Sequence, residues 1–337
     1  MDEKIERAFE ALDEKKDTLE KNMSPAAYKI WKSNVLTTEQ REAIKRLPWS
    51  SIGKEHTKID YQKAQEMLNS QHHGMNETKT KILQLLAVRE RTGKSGKGIL
   101  LTGPAGTGKT TICEIIAEVL NEPFYKVPLQ GTTAQWELLG SNPTWKAANQ
   151  GYIADAIQRS GSFSAVICLD EVDKMEKNER SPQMALLSLF DSTNTAFIDQ
   201  FLAIPLDVSN ITFILTANDI NEVNPILRDR LDVIHIQGYT KKEKYLILKN
   251  YIIPKLYSKY KVEKSEIVFY ESAIKLICEA CTEPGVRDVE KLADNIFRRA
   301  IYMLALGAQT ISINAGFVKA ELPTKLSAEN REIGFRI

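Results

Sequence analysis

The sequence is poor in several features that mark particular classes of protein. Its 337 residues include only 4 cysteines and 4 histidines. Its charges almost cancel, with 45 lysines and arginines against 44 aspartates and glutamates and a formal net charge of +1. A near-neutral chain gives no electrostatic argument for membrane attachment or for binding nucleic acid over its whole surface. A basic lining confined to one place would not show in the net charge, so DNA stays open as a partner.

Long apolar runs are missing too. The longest are only a handful of residues, such as AVICL at 165–169, whereas a transmembrane helix needs about 20 apolar residues. The amino-terminal stretch MDEKIERAFEALDEKKD is highly charged and has no apolar segment of the kind found in secretory signals. The sequence therefore predicts a protein that does not enter membranes and that works in the cytoplasm.

The four cysteines fit a reducing compartment. Cys113 and Cys168 lie in apolar runs, where reduced thiols are commonly buried. Cys278 and Cys281 form a C-x-x-C, but the surrounding AIKLICEACTEPGV has the pattern of the end of an amphipathic helix. The sequence contains no second cysteine pair to complete a metal site. We interpret this pair as part of helix packing rather than as a metal or redox centre.

Residue patterning divides the chain into four regions. Residues 1–50 are predicted to form a coiled-coil-like helical arm, residues 51–238 an α/β domain, residues 239–315 a small all-α lid domain and residues 316–337 a tail without clear assignment. Five apolar runs are predicted strands: GILL (98–101), FYKVPL (124–129), AVICL (165–169), ITFIL (211–215) and VIHI (233–236). Helical segments separate most of them, which indicates a parallel sheet. After Gly238 the pattern predicts helices and no further strands.

The stretch GILLTGPAGTGKTTICEII carries the most specific motif. Gly103 to Thr110 fits G-x-x-x-x-G-K-[ST], with a predicted strand before it and a predicted helix after it. The glycines let backbone N–H groups converge on phosphate oxygens at a helix amino terminus, where negative charge is already favoured. Lys109 is expected to reach the β- and γ-phosphates, and the Thr110 hydroxyl to bind Mg²⁺. The nucleotide-binding residues predicted in this P-loop are Gly103, Pro104, Ala105, Gly106, Thr107, Gly108, Lys109, Thr110 and Thr111.

Two more strand ends carry polar side chains that suit nucleotide hydrolysis. In SAVICLDEVDK an apolar strand ends in Asp170 and Glu171. Asp170 is predicted to hold Mg²⁺, and Glu171 to orient and polarise the water that attacks the γ-phosphate. The strand in ITFILTAND ends in Asn218, whose neutral amide can fix that water or a γ-phosphate oxygen without adding charge. Together with the P-loop, these residues predict binding and hydrolysis of ATP with Mg²⁺.

Arginines follow these motifs along the chain. NPILRDRLDVIHI places Arg228 and Arg230 in a turn before a strand, and EPGVRDVEKL places Arg287 near a helix start. An arginine supplied by a neighbouring subunit can speed phosphoryl transfer by about 10³–10⁵-fold.

The order of all these motifs resembles that of the AAA+ ATPases. Longer segments resemble the ATPase module of the Lon protease family across residues 46–300, most specifically DKMEKNERSPQMALLSLFDSTNTAFIDQFLAIPLDVSNITFILTAND, with LPWSS, QHHGMNETKTKILQLLAV and GYTKKEKYLILKNYIIPK beside it.

The resemblance implies an α/β P-loop NTPase of the AAA+ type, with a parallel-sheet domain, a helical lid and an amino-terminal helical arm. It implies ATP bound between sheet domain and lid, and a homo-oligomeric ring, a hexamer in that family. By the same resemblance, His72, Gly74 and Met75 border the adenine base. Their segment has the H-x-G-hydrophobic pattern ahead of a helix.

The resemblance also gives roles to the polar residues beyond the P-loop. Asn218 matches the sensor 1 position and Arg287 the sensor 2 position. Arg230 matches the arginine finger that acts on the neighbouring subunit. Arg228 is the alternative finger, because this turn is one residue longer than the family's usual pattern.

Trp145 lies in the polar segment SNPTWKAANQGYIADAI, where no helical or alternating pattern links it to a core. Lon-type ATPases have a pore loop with an aromatic residue at this place, so Trp145 and Lys146 are predicted to grip an unfolded polypeptide. Lys146 departs from the aliphatic residue usual there. The alternative is that Trp145 packs against its own subunit, as most tryptophans do. KMEKNERSPQ is predicted to form a second pore-facing loop.

Peptidase motifs are missing from the sequence. It has no Gly-Pro-Ser-Ala-Gly-like segment, H-E-x-x-H or G-x-S-x-G. We therefore expect an ATPase that does not cleave peptides by itself. Three interpretations stay open: the motor module of a Lon-type protease whose peptidase is fused or separate, a stand-alone AAA+ remodeller, or a nucleotide-gated scaffold that acts on a partner protein or DNA.

Overall fold

The structure is a computed structural model that describes residues 18–53, 57–93, 97–177, 181–190 and 196–322. The chain divides into two compact units. The larger unit runs up to Pro104 and continues from Gly108 to Gln237. The smaller unit contains Ala105–Thr107 and the chain from Gly238 onward. The tip of the P-loop is therefore grouped with the smaller unit.

The larger unit is built on a parallel sheet, which confirms the predicted fold class. Its strands in chain order are β1 Gly98–Thr102, β2 Phe124–Pro128, β3 Val166–Asp170, β4 Phe197–Ile198, β5 Pro205–Leu206, β6 Thr212–Ala217 and β7 Leu231–His235. Five of them form one sheet in the order β2-β3-β6-β1-β7, and all its neighbours are parallel. β1 and β6 are buried along their whole length, as expected for a parallel sheet covered on both faces. β4 and β5 form a separate antiparallel hairpin.

Nine α-helices of the larger unit lie with both ends inside the described residues. They are α1 Pro25–Lys32, α2 Thr38–Lys45, α3 Tyr61–Gln71, α4 Asn76–Thr92, α5 Lys109–Leu120, α6 Gln135–Leu139, α7 Tyr152–Ser160, α8 Leu186–Leu189 and α9 Pro225–Arg228. Local sequence sets several of their starts. The side chains of Thr37 and Gln40, for example, form a capping box at the start of α2.

The amino-terminal helices pack into the core of the larger unit. Leu19, Trp31 and Ile44 belong to the same apolar cluster as residues of β3 and β6. Gln40 on α2 also donates a hydrogen bond from Nε2 to the Phe201 carbonyl at 2.7 Å. Residues 19–49 are thus part of this unit's core. The heptad-like positions of the predicted arm that precede residue 18 lie outside the described residues.

The smaller unit is helical but contains two strands, which corrects the expectation that strands stop after Gly238. Its elements are α10 Lys241–Ile247, a π-helical turn Leu248–Ile252, α11 Ile253–Tyr260, β8 Ile267–Phe269, α12 Glu271–Ala280, α13 Arg287–Ala305, β9 Ile311–Ile313 and α14 Ala315–Lys319. β8 and β9 pair in parallel. Each has three residues, too few for a periodic sequence pattern to separate strand from loop. Residues 323–337 of the predicted tail lie outside the described residues.

The core of the smaller unit is centred on Phe297, a fully buried residue of α13. Its ring contacts the rings of Tyr257, Tyr260 and Phe269 at centroid distances of 5.1, 5.8 and 6.0 Å. Such aromatic pairs add about 0.5–1.5 kcal/mol beyond the apolar area they bury. Of the helices in the described ranges, none has the length and apolar character that crossing a bilayer requires.

Candidate nucleotide-binding site

The P-loop brings its lysine and Asn218 together. Lys109 begins α5, and its side chain is almost fully buried. Its Nζ donates hydrogen bonds to the carbonyl oxygens of Gly103 at 2.7 Å and Pro104 at 3.0 Å, and to Asn218 Oδ1 at 2.8 Å. Asp173, which the sequence interpretation did not single out, accepts a hydrogen bond from the Asn218 backbone N–H at 3.1 Å. Two residues predicted from separate motifs therefore meet at the carboxyl edge of the sheet.

Asp170 lies at the same edge and is held by three donors. Its Oδ1 accepts hydrogen bonds from the hydroxyls of Thr216 at 2.6 Å and Thr110 at 3.4 Å. Its Oδ2 forms an ion pair with Lys126 Nζ at 2.6 Å. Burial pushes the pKa of Asp170 up, but the hydrogen bonds from Lys126 and Thr216 outweigh it and leave the pKa below its usual value. Because Thr110 and the ionised Asp170 present a hydroxyl and carboxylate oxygens to one place, they fit Mg²⁺, which prefers such oxygen ligands.

Glu171 follows Asp170 in a left-handed conformation, with φ of 61°. Its backbone N–H donates to the Thr216 hydroxyl at 2.9 Å, so one threonine contacts both acidic residues. Thr216 lies in β6 two residues before Asn218, so side-chain alternation along the extended chain directs both to the same side. That spacing is a sequence signal from which Thr216 could have been found. Lys126 could have been found as the one charged residue inside the apolar run FYKVPL.

His72, which is predicted to border the adenine base, lies against Gly108 of the P-loop. A Cβ atom added at Gly108, where φ is +88°, would lie 2.3 Å from His72 Cε1, so this approach requires glycine. Lys79 donates to the His72 carbonyl at 2.6 Å. Burial and then the charge of Lys79 lower the pKa of His72 to about 4. Its Nε2 is buried and has no hydrogen-bond partner among the described residues.

Gly74 and Met75 form the turn that leads from His72 into α4. Both have positive φ, 69° and 54°. Met75 precedes the first residue of α4 and packs partly buried against the apolar cluster that contains Ile112 and Ile116 of α5. The H-x-G-hydrophobic segment is therefore brought next to the P-loop helix.

Arg228 and Arg230 lie at the opposite edge of the sheet. Leu231 of β7 pairs with Gly98, the first residue of β1, whereas the P-loop follows Thr102. At about 3.3 Å per residue, the four steps from Gly98 to Thr102 span about 13 Å. Arg230 also donates to the Leu187 carbonyl at 3.0 Å. The structure thus keeps both arginines away from the P-loop edge of their own sheet.

Arg287 is the first residue of α13 and is exposed. It contacts the tip of the P-loop within the smaller unit. The backbone N–H of Val286 donates to the Gly106 carbonyl at 3.0 Å, and a Cβ atom added at Gly106 would lie 3.0 Å from Arg287 Cβ. The predicted sensor 2 arginine therefore lies next to Gly106, a residue that is grouped with the smaller unit.

Trp145 lies at a turn on the surface of the larger unit, and 54% of it is exposed. Its ring meets that of Trp136 on α6 edge to face, at 6.3 Å between centroids and 74° between planes. Trp136 is itself 47% exposed, and the sequence interpretation did not single it out. Trp145 therefore contacts its own chain and still exposes about half of its surface to solvent. Lys146 beside it is exposed too. Part of the predicted second loop, residues 178–180, lies outside the described residues.

Phosphate-binding, carboxylate and amide groups at one edge of a parallel sheet define a P-loop ATPase. Residues 99–239 match the model of the ATPase family associated with various cellular activities, abbreviated AAA. The chain is 37% identical to the Lon protease of Amoebophilus asiaticus over 261 residues, 77% of this chain and 31% of that protein. It is 36% identical to the Lon protease of Fervidobacterium nodosum over 295 residues, 86% of this chain and 36% of that protein. It is also 36% identical to the mitochondrial Lon protease homolog of Schizosaccharomyces pombe over 273 residues, 80% of this chain and 25% of that protein.

The chain belongs to the AAA+ ATPases as a module of the Lon family, and it binds and hydrolyses ATP. It spans about a third or less of the length of the curated relatives named above.

Proposed function

We propose that this chain is the ATP-driven motor of a ring that unfolds polypeptide and moves it through a central pore. The observation that carries the proposal is the half-exposed Trp145, which shares one unit with the catalytic groups at the carboxyl edge of the sheet. An exposed aromatic pair offers a large apolar surface that can grip side chains of any sequence. The relatives named Lon protease support a polypeptide as the substrate.

In the proposed reaction each polar residue of the site has one task. Lys109 leaves its carbonyl partners in the P-loop to bind the β- and γ-phosphates, because a phosphate offers it the stronger charge-assisted hydrogen bonds. Thr110 and Asp170 would hold Mg²⁺, which would supply positive charge to the phosphate oxygens. Glu171 orients and polarises the attacking water. Asn218 is hydrogen-bonded to Lys109 and changes position with it when the γ-phosphate binds and when it is released.

The position of Arg230 supports a shared site. About 13 Å of strand separates its edge of the sheet from the P-loop edge, so it cannot complete the site of its own sheet. A ring with head-to-tail contacts brings the finger edge of one subunit to the P-loop edge of the next. We propose Arg230 as that finger, with Arg228 as the alternative, in a homo-oligomer that the resemblance makes a hexamer. Arg287 is proposed to report the state of the γ-phosphate from the P-loop tip.

Peptide cleavage is proposed to come from a peptidase that is fused to this module or separate from it. The relatives' names associate the module with proteolysis, while the sequence contains none of the peptidase motifs sought above. We propose the cytoplasm as the place of action, because Cys113 and Cys168 are free and buried, as thiols are in a reducing compartment.

The test is the steady-state ATPase rate with and without casein, a polypeptide without a stable fold, for the wild type and Trp145→Ala. We expect casein to stimulate the wild type and not the variant. Stimulation that is equal in both proteins would remove the pore-loop role. A basal rate that responds to duplex DNA and not to casein would support the scaffold interpretation in its place.

A further inference from the structure

The loop that carries Trp145 is closed at its base by two glycines. A Cβ atom added at Gly151 would lie 2.3 Å from the Gly140 nitrogen and 2.2 Å from the Leu138 carbonyl, so the two ends of the loop touch. Above this neck, the Ser141 N–H donates to the Asn149 carbonyl at 3.0 Å, and the Asn149 N–H donates to the Ser141 hydroxyl at 2.7 Å. The neck therefore fixes where the loop leaves the larger unit.

Asp199, a fully buried carboxylate between β4 and β5, lies under this neck. Its Oδ2 accepts a hydrogen bond from the Gly151 N–H at 2.8 Å. Its Oδ1 accepts from the N–H groups of Phe201 and Leu202, both at 2.9 Å. A Cβ atom added at Gly140, where φ is +84°, would lie 2.4 Å from that Oδ1. One side chain thus contacts both ends of the loop.

Hydrogen bonds from three backbone N–H groups offset part of the cost of burying this carboxylate. Burial raises the pKa of Asp199 to about 6, although hydrogen bonds from three backbone N–H groups oppose the shift. The ATPase chemistry at the carboxyl edge of the sheet does not use this group. A neutral or apolar residue would fill the same space without the desolvation cost of a carboxylate. The carboxylate of Asp199 accepts hydrogen bonds from backbone N–H groups of both segments, and these bonds connect the loop neck to the β4–β5 hairpin.

The hairpin is connected in turn to the amino-terminal helices. The Gln200 N–H donates to the Leu139 carbonyl at 2.6 Å, next to the loop neck. Gln40 on α2 is buried and donates to the Phe201 carbonyl at 2.7 Å. Hydrogen bonds therefore run from α2 through residues 199–201 to Gly151, all within the larger unit.

We propose that Asp199 is a positioning residue for the Trp145 loop, holding its neck closed so that Trp145 meets the polypeptide in one orientation. The proposal rests on the proposed motor function for its substrate, but the clamp itself is a property of this chain.

The test replaces one carboxylate oxygen with a donor. In Asp199→Asn the side chain keeps its size, but its NH₂ group faces a backbone N–H group from which the carboxylate had accepted a hydrogen bond. Two donors then face each other, so the clamp is broken. Acrylamide quenching of Trp145, taken as the difference from a matched Trp145→Phe protein, should rise about twofold because the loop becomes mobile. The KM for casein in the stimulated ATPase assay should rise about tenfold, with a smaller change in kcat, because a misplaced binding group weakens productive contact.

Two companion variants keep the test decisive. Asp207→Asn alters an exposed carboxylate just after the same hairpin, which accepts only the Ser209 N–H at 2.9 Å among its described contacts, and it should behave as the wild type. Ser141→Ala removes the two side-chain hydrogen bonds between Ser141 and Asn149 at the neck without altering a buried charge, and it should also increase the quenching, even if Asp199→Asn fails to fold. Wild-type quenching in both Asp199→Asn and Ser141→Ala would overturn the clamp. Casein stimulation that survives Trp145→Ala would instead remove the pore-loop role of Trp145, and a lack of any casein stimulation in the wild type would overturn the motor function; in both cases the quenching comparison still decides the clamp.

Discussion

Thr216 holds both acidic residues of the nucleotide site through one hydroxyl group. It donates to Asp170 Oδ1 and accepts from the Glu171 N–H. An unpaired buried polar group costs about 1–3 kcal/mol, so these contacts hold the Asp170 carboxylate and the Glu171 backbone in place. The backbone of Glu171 is left-handed at this point, with φ of 61°.

At the scale of single residues, Glu171→Gln is expected to bind ATP and to hydrolyse it about 10²–10⁴ times more slowly, because a neutral amide cannot polarise the attacking water. Binding of a fluorescent ATP analogue and the steady-state rate measure the two properties. Glu118→Gln, an exposed change on α5, is the matched control. Normal ATP turnover by the Glu171→Gln protein would contradict the assignment of Glu171 as the group that polarises the attacking water.

His72 predicts a pH dependence of stability. Its pKa is lowered to about 4 in the folded chain, first by burial and then by the charge of Lys79, whereas an unfolded histidine titrates near ~6.5. The unfolded chain therefore binds more protons between these values, and stability is lost as the pH falls from 6.5 towards 4. The full difference is ~3 kcal/mol.

The measurement is urea unfolding of the wild type and His72→Gln at pH 7.5 and pH 4.5. Because Asp199, whose pKa is raised to about 6, contributes the opposite slope between about 4 and 6, only the difference between the two proteins reports His72. The wild type should lose more stability on acidification than the variant. Equal losses would show that the imidazole is not held neutral by the fold.

At the scale of elements, α6 supports the Trp145 loop from the side. The helix has five residues and presents Trp136 to the loop. The Glu137 side chain accepts hydrogen bonds from the N–H groups of Thr133 and Ala134, which caps the start of α6. Tyr152 of α7 donates from its hydroxyl to the same carboxylate at 3.2 Å. The short helix α6 is thus held in place, because the side chain that caps its start is also hydrogen-bonded to α7.

Trp136→Ala should loosen Trp145 by removing an aromatic contact of about 0.5–1.5 kcal/mol. We expect stronger acrylamide quenching of Trp145 and weaker stimulation of the ATPase by casein. Trp136→Phe keeps an aromatic ring there and should stay close to the wild type. If the alanine and phenylalanine variants are indistinguishable, α6 gives Trp145 no support.

At the scale of the whole molecule, the parallel sheet separates the parts of the proposed shared site. P-loop, acidic pair and Asn218 follow the carboxyl ends of strands, whereas Arg228 and Arg230 precede the amino end of β7. Since the strands are all parallel, residues just before β7 and residues just after β1, β3 and β6 lie at opposite ends of the sheet. This topology supports the proposal that a neighbouring subunit supplies the arginine.

Arg230→Ala is therefore expected to lose nearly all ATPase activity, by about 10³-fold or more. Mixing it with Glu171→Gln subunits should restore part of the activity, because a mixed ring contains sites with an intact base and an intact neighbouring arginine. Steady-state rates across mixing ratios measure the rescue, with Arg228→Ala as the matched comparison. No rescue with Arg230→Ala, and rescue with Arg228→Ala, would transfer the finger role to Arg228.

The sequence by itself determined the fold class and the reactive groups. The P-loop spacing, the apolar strands and the polar residues at their ends are local patterns, because phosphate binding and strand burial depend on neighbouring residues. Parallel pairing then places every strand-end residue at one edge, so the meeting of Lys109, Asp170 and Asn218 followed from the pattern. The sequence pattern did not predict strands β8 and β9, because three residues are too few to show a periodic alternation of apolar and polar side chains.

Only the tertiary structure decided which side chains support those groups. Lys126 contacts Asp170 from a neighbouring strand, Lys79 holds the His72 carbonyl, and Trp136 reaches Trp145 across a surface turn. Asp199 closes a loop that ends nearly 50 residues earlier, with Gly151 donating to it at a sequence separation of 48. Such contacts depend on how distant segments pack, and a linear pattern does not record packing.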